Sequence, residues 1–338
     1  MYKFLSIIVS LLLMINMSAF AADIELQPTM RARTNAQDRV WVGTLQLVWN
    51  DFISKYVHNP VRFREGTPKD VQDLNRQEFS VKDLSDKCFY KYAGAINKRT
   101  KKMITKAIKK KLNETSDILD KMDLTPGSNS FLIYTMLKKD FDFIYEFDKL
   151  DKSTFGENFQ AEYFGITSKT SEKVAENIEV LFYNNSDDFA LKIKTKDKDE
   201  LYLYKNPSNK SFRDLYADMN RKSAKYEGTK EFQKEDMFKM PNLKLDVTRD
   251  YEEFAGKRVM GTNLVITKVI QTAKFDMNNK GVKLKSEAAM TIMKTALQPQ
   301  INEPRYFYLD DTFVLYLKEN DKRNPYFALR VNDISKFQ

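Results

Sequence analysis

The stretch Leu264–Gly281 (LVITKVIQTAKFDMNNKG) carries the most information about the fold of this chain of 338 residues. Its apolar and β-branched residues predict two strands, Leu264–Ile270 and Ala273–Met277. The segment Val282–Ala288 (VKLKSEA) follows directly and alternates apolar or small residues with charged ones. This period of two is typical of a strand with one buried face. The stretch therefore predicts strands that lead into a loop able to form another strand.

Helices are predicted mainly in the earlier part of the chain, and strands dominate the last quarter. Apolar residues at helical spacing predict helices over Val40–Val57, Thr100–Met122 and Ser211–Tyr226, the second of them broken near Asn113. The further predicted strands are Phe131–Leu137, Phe141–Phe147, Ile178–Tyr183, Phe189–Ile193, Leu201–Tyr204, Tyr306–Leu309, Thr312–Leu317 and Tyr326–Val331. The acidic residues in Asp197–Glu200 predict an exposed turn. Because helices and strands do not alternate regularly, the predicted fold class is α+β with large antiparallel or mixed sheets.

Composition excludes several classes of protein. The chain is 42% hydrophobic and 30% charged, which is typical of a globular protein and not of a disordered one. Glycine is scarce, and a single histidine (His58) with a single cysteine (Cys88) cannot form a Cys/His zinc site. Dinucleotide-binding, P-loop, zinc-protease and nucleophile-elbow motifs are absent from the sequence. We therefore expect a protein that is not an enzyme and that uses no metal or other cofactor.

The N-terminus predicts a signal peptide over residues 1–21. Lys3 provides a positive start, Phe4–Met14 is apolar, and Ala19–Ala21 (AFA) has the pattern of a cleavage site. The apolar run is too short for a permanent membrane span, and no later apolar run of about 18 residues follows. We therefore expect an exported protein, periplasmic or secreted, with no membrane span in its mature form. Cys88 has no partner for a disulfide, and we expect a buried thiol.

A basic run lies within the second predicted helix. The stretch from Arg99 to Lys111 contains seven basic residues and no acidic residue. Ile104, Ile108 and Leu112 would face inward, so the basic side chains would cover the opposite face. That face is interpreted either as a solvated surface or as a binding patch for a polyanion. The candidate residues of the patch are Arg99, Lys101, Lys102, Lys106, Lys109 and Lys110. Nucleic acid is not expected as the partner, because the protein is predicted to be exported and no aromatic residues interleave with the lysines.

The C-terminal third resembles the serpin family. The segments that carry the resemblance are FKMPNLKL (Phe238–Leu245), LVITKVIQTA (Leu264–Ala273), FDMNNKG (Phe275–Gly281), DDTFVLYL (Asp310–Leu317) and Asn324–Val331. They are similar, in the same order, to the serpin patterns MPKFK, ISKVIxKA, VxVNEEG, DRPFxFxI and ILFMGRV. Upstream, Ala107–Leu119 and Phe131–Phe141 are similar to a serpin helix and to the strand that follows it. The resemblance is strongest over Met240–Val331 and weak before Lys101.

The resemblance implies a serpin-like fold, in which helices pack around large sheets and an exposed reactive loop leaves one of these sheets. Residues 22–338 would form a single domain with a shortened, divergent N-terminal helical region. Three positions depart from the family pattern. Lys139 stands in place of glycine, Phe141 in place of tryptophan and Thr312 in place of proline.

The resemblance also implies a mechanism that needs no catalytic residue in this chain. A serine protease, or alternatively a cysteine protease, attacks the loop and forms an acyl-enzyme, and the cut loop then inserts into the sheet. The insertion hinge would comprise Gly281, Val282, Leu284, Ser286 and Ala288. Val282 and Leu284 are bulkier than the threonine and alanines usual in inhibitory serpins. Slow insertion would make the protein a protease substrate instead of an inhibitor.

The scissile bond is expected between Lys294 and Thr295. Counting the family's loop length forward from Gly281 reaches Thr295, whereas counting back from the C-terminal strands reaches Ile301. Lys294 is the only basic residue in this part of the loop, and it suits a trypsin-like specificity pocket. The alternatives, for a chymotrypsin- or elastase-like protease, are Met293 and Leu297.

Two functions from different classes fit the sequence. The first is a monomeric inhibitor of a serine protease that acts through loop cleavage and insertion. The second is a non-inhibitory serpin-fold protein of the cell envelope, which binds polyanions through the basic helix at residues 99–111.

Overall fold

The computed structural model describes residues 24–125, 130–205, 208–282 and 304–338, and these contain seventeen β-strands and four α-helices. The strands are β1 (Glu25–Gln27), β2 (Arg39–Val42), β3 (Phe89–Ala95), β4 (Phe131–Leu137), β5 (Phe141–Asp142), β6 (Asp148–Phe155), β7 (Phe159–Ile166), β8 (Ile178–Asn185), β9 (Asp188–Lys194), β10 (Asp199–Lys205), β11 (Met237–Pro241), β12 (Leu243–Asp250), β13 (Ile270–Asn278), β14 (Gly281–Val282), β15 (Tyr306–Tyr308), β16 (Phe313–Glu319) and β17 (Phe327–Val331). The helices are α1 (Thr44–Phe52), α2 (Lys69–Leu74), α3 (Thr100–Leu112) and α4 (Phe212–Lys225).

The strands form four sheets in the described part of the chain. A seven-stranded sheet has the order β1-β2-β17-β16-β10-β9-β8. Two four-stranded sheets have the orders β15-β11-β7-β6 and β12-β13-β14-β5, and β3 pairs with β4 alone. Neighbouring strands are antiparallel except in the pairs β1–β2 and β11–β15. The predicted α+β class with large antiparallel and mixed sheets is confirmed.

The central strands of the seven-stranded sheet form a fully buried part of the main hydrophobic core. β10, β16 and β17 are buried along their whole length, as expected for strands covered on both faces. Aromatic rings add to this core, and the ring centroids of Phe143 and Phe147 lie 5.0 Å apart. Two smaller clusters pack α1 beside Phe254 and Val259, and α3 against β4. α1 also contacts β4, so both helices pack beside this strand.

The fourth helix lies where the sequence predicts it. The Oγ of Ser211 accepts a hydrogen bond from the backbone N–H of Asp214 at 3.2 Å, which caps the first turn of α4. Phe212, Leu215 and Met219 are buried on one face of the helix. The cap therefore fixes where α4 begins, and the apolar spacing fixes which of its faces is buried.

Two of the predicted helices are shorter than expected. Val40–Val42 belongs to β2, because its β-branched residues pair with β17, and α1 starts only after Gly43. α3 ends at Leu112, because Asn113 adopts the left-handed conformation (φ 53°, ψ 41°) that terminates helices. The predicted break at Asn113 is confirmed, whereas the helical continuation to Met122 is wrong.

Two predicted strands are also corrected. In the predicted strand Leu264–Ile270, only Ile270 belongs to a strand, because β13 begins there. Val265 makes only an isolated bridge. Its apolar residues are explained by packing against the α1 cluster rather than by strand pairing. Within Phe141–Phe147 only Phe141–Asp142 forms a strand. Phe143 and Phe147 are buried in the core, and Phe143 makes only an isolated bridge with Thr195.

The predicted exposed turn at Asp197–Glu200 is half wrong. Asp199 and Glu200 belong to β10 and are only 6% and 8% exposed. Asp199 pairs with Lys139, and Glu200 accepts a hydrogen bond from the Tyr202 hydroxyl at 2.7 Å. Such partners allow carboxylates to be buried, and the sequence pattern alone does not show them.

Replacing Ser211 with alanine removes the side-chain acceptor at the start of α4. We expect the free energy of unfolding to fall by about 1 kcal/mol, because the N–H of Asp214 loses its partner. Urea denaturation followed by circular dichroism measures the loss. Ser223→Ala, in the last turns of the same helix, is the matched control and should change stability by less than about 0.5 kcal/mol. Equal losses in both variants would contradict a capping role for Ser211.

Candidate functional site

A cleft between β4 and β13 is the candidate functional site. β4 pairs with β3 along one edge, and β13 pairs with β12 along one edge. Among the described residues, the other edge of β4 has no strand partner, and that of β13 is paired only at Met277 and Asn278. Both strands line the cleft, which has a volume of about 520 Å³. Strand edges with unpaired N–H and C=O groups form a template for an additional strand.

β14 lies at one end of the cleft and pairs with both sides. Val282 is opposite Met277 of β13 and opposite Phe141 of β5, and both pairs are antiparallel. β5 continues the course of β4 beyond Lys138–Asp140, so β14 runs against both borders of the cleft. Gly281 allows this close approach, because its φ is +147° and a Cβ there would lie 2.5 Å from the carbonyl oxygen of Phe141.

One face of the cleft is directed toward the core. Ala273, Phe275 and Met277 are buried and alternate along β13 with residues that are more exposed. Leu45 and Val48 of α1 line the cleft beneath them. A strand placed between β4 and β13 would therefore bury one face and leave the other toward solvent or α3.

Two buried polar atoms beside the cleft have no hydrogen-bond partner in the described part of the chain. They are the Oγ1 of Thr135 on β4 and the Oδ1 of Asp140 between β4 and β5. Burial raises the pKa of Asp140 to about 6, against the opposing charge of Lys138 and with a contribution from Asp142. Buried oxygens without donors destabilise the folded state.

A buried ion cluster joins the end of β4 to the seven-stranded sheet. The Nζ of Lys139 lies 2.8 Å from the Oδ1 of Asp199 and 2.5 Å from the Oε1 of Glu319. The Tyr326 hydroxyl donates to Asp199 at 2.8 Å, and the Ser85 hydroxyl donates to Glu319 at 2.5 Å. One ammonium thus pairs with two carboxylates, and the hydroxyls satisfy further lone pairs.

The two carboxylates of this cluster differ in their titration. Burial raises the pKa of Asp199, although Lys139 opposes the effect. At Glu319 the hydrogen bonds from Lys139 and Ser85 outweigh burial and lower the pKa. The neighbouring Cys88 thiol donates to the Ser85 carbonyl at 2.9 Å, and burial raises its pKa to about 11. The predicted buried thiol is confirmed, and the raised pKa makes it a weak nucleophile.

α3 covers the outer face of β4 and presents the basic residues to solvent. Ile104 of α3 and Leu132 of β4 belong to one buried cluster. The exposed residues of the predicted patch are Arg99, Lys101, Lys102, Lys106, Lys109 and Lys110. Lys101 pairs with Asp120, whereas the other five have no ion-pair partner within the described ranges. The structure therefore places the predicted basic face on the surface, next to the cleft strand.

Only part of the predicted hinge falls within the described residues. Gly281 and Val282 form β14 at the end of the cleft. The remaining hinge and scissile-bond candidates, Leu284, Ser286, Ala288, Lys294 and Thr295, lie outside the described residues, as does the predicted signal peptide at residues 1–21.

Sequence reasoning missed three residues of the site: Thr135, Lys139 and Asp140. Lys139 was visible only as a departure from the family pattern. Its acidic partners are far away in the sequence, so no local pattern identifies them. Thr135 and Asp140 are recognised only in the structure, where a side-chain oxygen of each is buried without a hydrogen-bond donor among the described residues.

No metal-binding arrangement of His, Cys, Asp and Glu side chains occurs within the described ranges. The helices of those ranges include none that is long and apolar enough to cross a membrane. The cleft is lined by backbone edges, apolar side chains, carboxylates and hydroxyls, and lysine side chains such as Lys268 and Lys274.

No family model matches the chain, and no curated protein matches it. Among solved structures the chain is similar to Serpin48 of the insect Tenebrio molitor, with 14% identity over 80% of this chain and 73% of that chain, at a TM-score of 0.42. It is also similar to thyroxine-binding globulin in complex with thyroxine, with 14% identity over 68% of this chain and 63% of that chain, at a TM-score of 0.41. A structure of the human globulin with its ligand gives 14% identity, 70% and 64% coverage and a TM-score of 0.40. The chain thus spans less than two thirds of both globulin chains. At such low TM-scores these likenesses carry no argument, and the α+β architecture rests on the strand order of the chain itself.

Replacing Lys139 with methionine removes the ammonium but keeps an extended side chain. Asp199 and Glu319 would remain buried without their cation, so we expect the free energy of unfolding to fall by roughly 3–5 kcal/mol. The matched control is Lys138→Met, because Lys138 pairs at 3.0 Å with the more exposed Glu114 and should contribute less than about 1 kcal/mol. Urea denaturation measures both variants. Similar losses at the two neighbouring lysines would contradict the role of the cluster.

The raised pKa of Asp140 predicts a pH-dependent term in stability. Between about pH 4 and pH 6 the folded protein keeps a proton on this carboxyl that the unfolded chain has released. Since the folded state binds more protons in this window, the contribution of Asp140 to the free energy of unfolding falls as the pH rises. Asparagine does not titrate, so Asp140→Asn should gain stability relative to the unchanged protein between pH 4 and pH 6. Urea denaturation at both pH values tests this, and a constant difference would refute it.

Proposed function

We propose that this protein is a serpin-type inhibitor of serine proteases whose cleaved loop inserts into the cleft between β4 and β13. The observation that carries the proposal is β14, since Gly281 and Val282 pair antiparallel with a strand on each side. Addition of an extended segment to free sheet edges is an established mode of recognition. A strand that continued β14 would keep its direction and register.

The proposal includes export, because residues 1–21 have the pattern of a signal peptide. The protein would therefore meet the protease in the periplasm or outside the cell.

The register of β14 determines which loop residues would face the core. Val282 and Met277 are opposite each other and both are buried, so every second residue after Val282 would share the buried face. Continuing this register along β13 gives the pairs Leu284–Phe275, Ser286–Ala273 and Ala288–Gln271. All three residues of β13 in these pairs are buried. The apolar and small residues of the loop would therefore enter the core side of the sheet.

The other border of the cleft would receive the same residues. Continuing the register of Val282 with Phe141 gives the pairs Leu284–Lys139, Ser286–Leu137 and Ala288–Thr135. At the last pair Ala288 would lie beside Thr135, which is buried, and the methyl group of alanine is small enough to pack there.

The intervening residues would point away from the core. Lys283 would lie between Asp276 on β13 and Asp140 on the other border, where its ammonium would pair with an otherwise unsatisfied carboxylate. Lys285 would lie next to Lys274, which Asp117 and Asp246 already neutralise in two ion pairs. The charge of Lys283 therefore favours this register, and the charge of Lys285 is compatible with it.

The driving force would come from many small terms added along the strand. Each new backbone hydrogen bond contributes about 0.5–1.5 kcal/mol, and each buried square ångström of apolar surface contributes roughly 25 cal/mol. The intact loop cannot reach this state while both of its ends are attached. The uncut protein would therefore be metastable, and cleavage would release the stored free energy.

The chemistry belongs to the protease. Its serine oxygen would attack the carbonyl carbon of Lys294, and the resulting tetrahedral intermediate would break the bond to Thr295. The protease histidine would transfer the serine proton to the departing amine, which leaves an ester between the protease and Lys294. Inhibition then requires that insertion outruns hydrolysis of this ester. Leu284 is the residue most able to slow insertion, because its side chain must enter a packed border.

Incubation of the mature protein with trypsin tests the proposal. We expect a complex that resists denaturing electrophoresis, together with a released C-terminal fragment whose sequence begins at Thr295. Mass spectrometry separates this cut from cleavage at Lys283 or Lys285, which trypsin also accepts. Complete cleavage without a complex, and without a rise in thermal stability, would overturn the inhibitory function.

A pair of neighbouring substitutions tests the register. Ser286→Glu would place a charge on the buried face, so insertion should fail and the protein should become a substrate. Lys285→Glu places the same side chain on the outward face, next to Lys274, and should retain the complex. Equal yields of complex from the two variants would contradict insertion in the register of β14.

A second candidate function is the binding of polyanions through α3. It is favoured by Arg99, Lys102, Lys106, Lys109 and Lys110, which are exposed and have no ion-pair partner in the described residues. This candidate would apply if trypsin produced no complex and the protein bound heparin-agarose. Replacement of Lys106, Lys109 and Lys110 by glutamine should then lower the salt concentration needed for elution.

A further inference from the structure

A hairpin between β12 and β13 has an outer face that the proposed loop insertion does not use. Its two arms, residues 256–260 and 264–267, are joined by an isolated bridge and by backbone hydrogen bonds. Residues 61–64 form a third extended segment beside the first arm, where Phe63 bridges Val259. Both bridges are antiparallel, so the three segments form a small antiparallel sheet with two distinct faces.

The inner face of this small sheet packs on the α1 cluster. Phe63 and Val259 are buried there, and Leu264 and Ile266 pack against them. Because side chains alternate along extended segments, the residues between these four point the other way. The outer face, which we call the hairpin face, consists of five exposed residues: Arg62, Arg64, Arg258, Met260 and Val265.

Two exposed apolar side chains lie together on the hairpin face. Met260 is 52% exposed and Val265 is 51% exposed, more than any other large apolar residue among those described. Exposed apolar residues that are scattered singly are normal on protein surfaces. Val265 is opposite Arg258, however, and Met260 lies two residues further along the same arm. The two apolar side chains are therefore diagonal neighbours, close enough to form one patch.

The arginines of the hairpin face are incompletely paired. Arg258 pairs with Glu65 at 2.6 Å, and this hydrogen bond lowers the pKa of Glu65 to about 2. Arg64 donates only to the carbonyl of Thr262, at 3.5 Å, and Arg62 has no side-chain partner in the described part of the chain. The three segments contain no acidic residue of their own. Two positive charges thus remain beside the apolar patch without a carboxylate partner among the described residues.

The hairpin face is small and its turns are surrounded by open space. Gly66, Gly256 and Gly261 have positive φ angles, and a Cβ at any of them would meet no atom within 4 Å. A specific protein interface uses roughly 20–30 residues on each side, far more than the five of this face. Flexible methionine and arginine side chains on a projecting hairpin are better suited to a fluid surface than to a rigid pocket.

We propose that the hairpin face binds the surface of a membrane that contains anionic phospholipids. Met260 and Val265 enter the headgroup region, and Arg62 and Arg64 contact lipid phosphates. A guanidinium matches a phosphate group with two parallel hydrogen bonds. Burial of apolar side chains and attraction of basic residues to anionic lipids both contribute to binding at such a surface. The proposal does not depend on loop insertion or on the basic face of α3.

The position of the hairpin gives the bound protein a useful orientation. The second arm leads into β13 at Ile270, whereas β14 lies beside the other end of that strand. β13 has nine residues and therefore spans about 27 Å. A molecule attached through the hairpin face would hold β14, and the residues that continue it, away from the membrane. The attached protein would thus leave this end free for other partners.

Sedimentation of the mature protein with lipid vesicles tests the proposal. We expect binding to vesicles of phosphatidylcholine mixed with phosphatidylglycerol, and much weaker binding to phosphatidylcholine alone. Added sodium chloride should reduce the bound fraction, because it screens the arginines. The absence of binding to the mixed vesicles, or equal binding to both kinds, would overturn the proposal.

Two matched double variants locate the contact. Arg62→Gln combined with Arg64→Gln should weaken binding to the mixed vesicles roughly 30-fold, because each basic residue at a membrane surface contributes about fivefold. Lys106→Gln combined with Lys110→Gln removes the same charge from α3 and should change binding less than about twofold. Circular dichroism verifies that all variants are folded. Equal weakening by the two pairs would show attraction by net charge and would refute a contact through the hairpin.

A tryptophan probe tests whether the apolar patch enters the lipid. Trp41 and Trp49 are each only 2% exposed, so they supply a constant background. The fluorescence of Val265→Trp should shift to shorter wavelength when mixed vesicles are added. Met103→Trp places the same probe at an exposed position on α3 and should show no shift. Equal shifts in the two variants, or a shift in neither, would contradict insertion of the hairpin face.

Discussion

The N–H and C=O groups at the edge of a strand need hydrogen-bond partners. The cleft exists because β4 and β13 are held too far apart to pair with each other. β4 is fixed by its contacts with α3 and α1 and by Lys139 just beyond its end. β13 is fixed by its full-length pairing with β12. β14 occupies one end of the cleft and pairs with both borders. The remaining length stays open, and everything proposed for the loop depends on this separation.

A buried ion cluster anchors one border of the cleft to the seven-stranded sheet. The ammonium of Lys139 lies within hydrogen-bond distance of two carboxylates, those of Asp199 and Glu319. The hydroxyl groups of Tyr326 and Ser85 donate hydrogen bonds to the same two carboxylates. Burial of these charges is tolerated because each carboxylate has a cationic partner and a further hydrogen bond. The cluster therefore fixes the end of β4.

Much of the fold was predictable where local patterns and tertiary packing agree. The helix after Ser211 has its cap and its apolar face within a few residues, and the strands near Val180 and Leu203 alternate or are apolar throughout. Predictions failed where a residue's role depends on a distant partner. Val40–Val42 is a strand because β17 lies beside it, and Asp199 is buried because Lys139 reaches it. Neither partner is near in the sequence.

The sequence by itself determined the α+β class, the basic outer face of α3 and the alternating pattern after Gly281, because each depends on residues that are neighbours in the sequence. Only the tertiary structure decided that β4 and β13 border an open cleft and that Val282 pairs across it with both sides. It also decided that Arg62 lies on one outer face with Met260 and Val265. Register and burial are set by segments far apart in the chain, and long-range packing rather than local propensity selects among them.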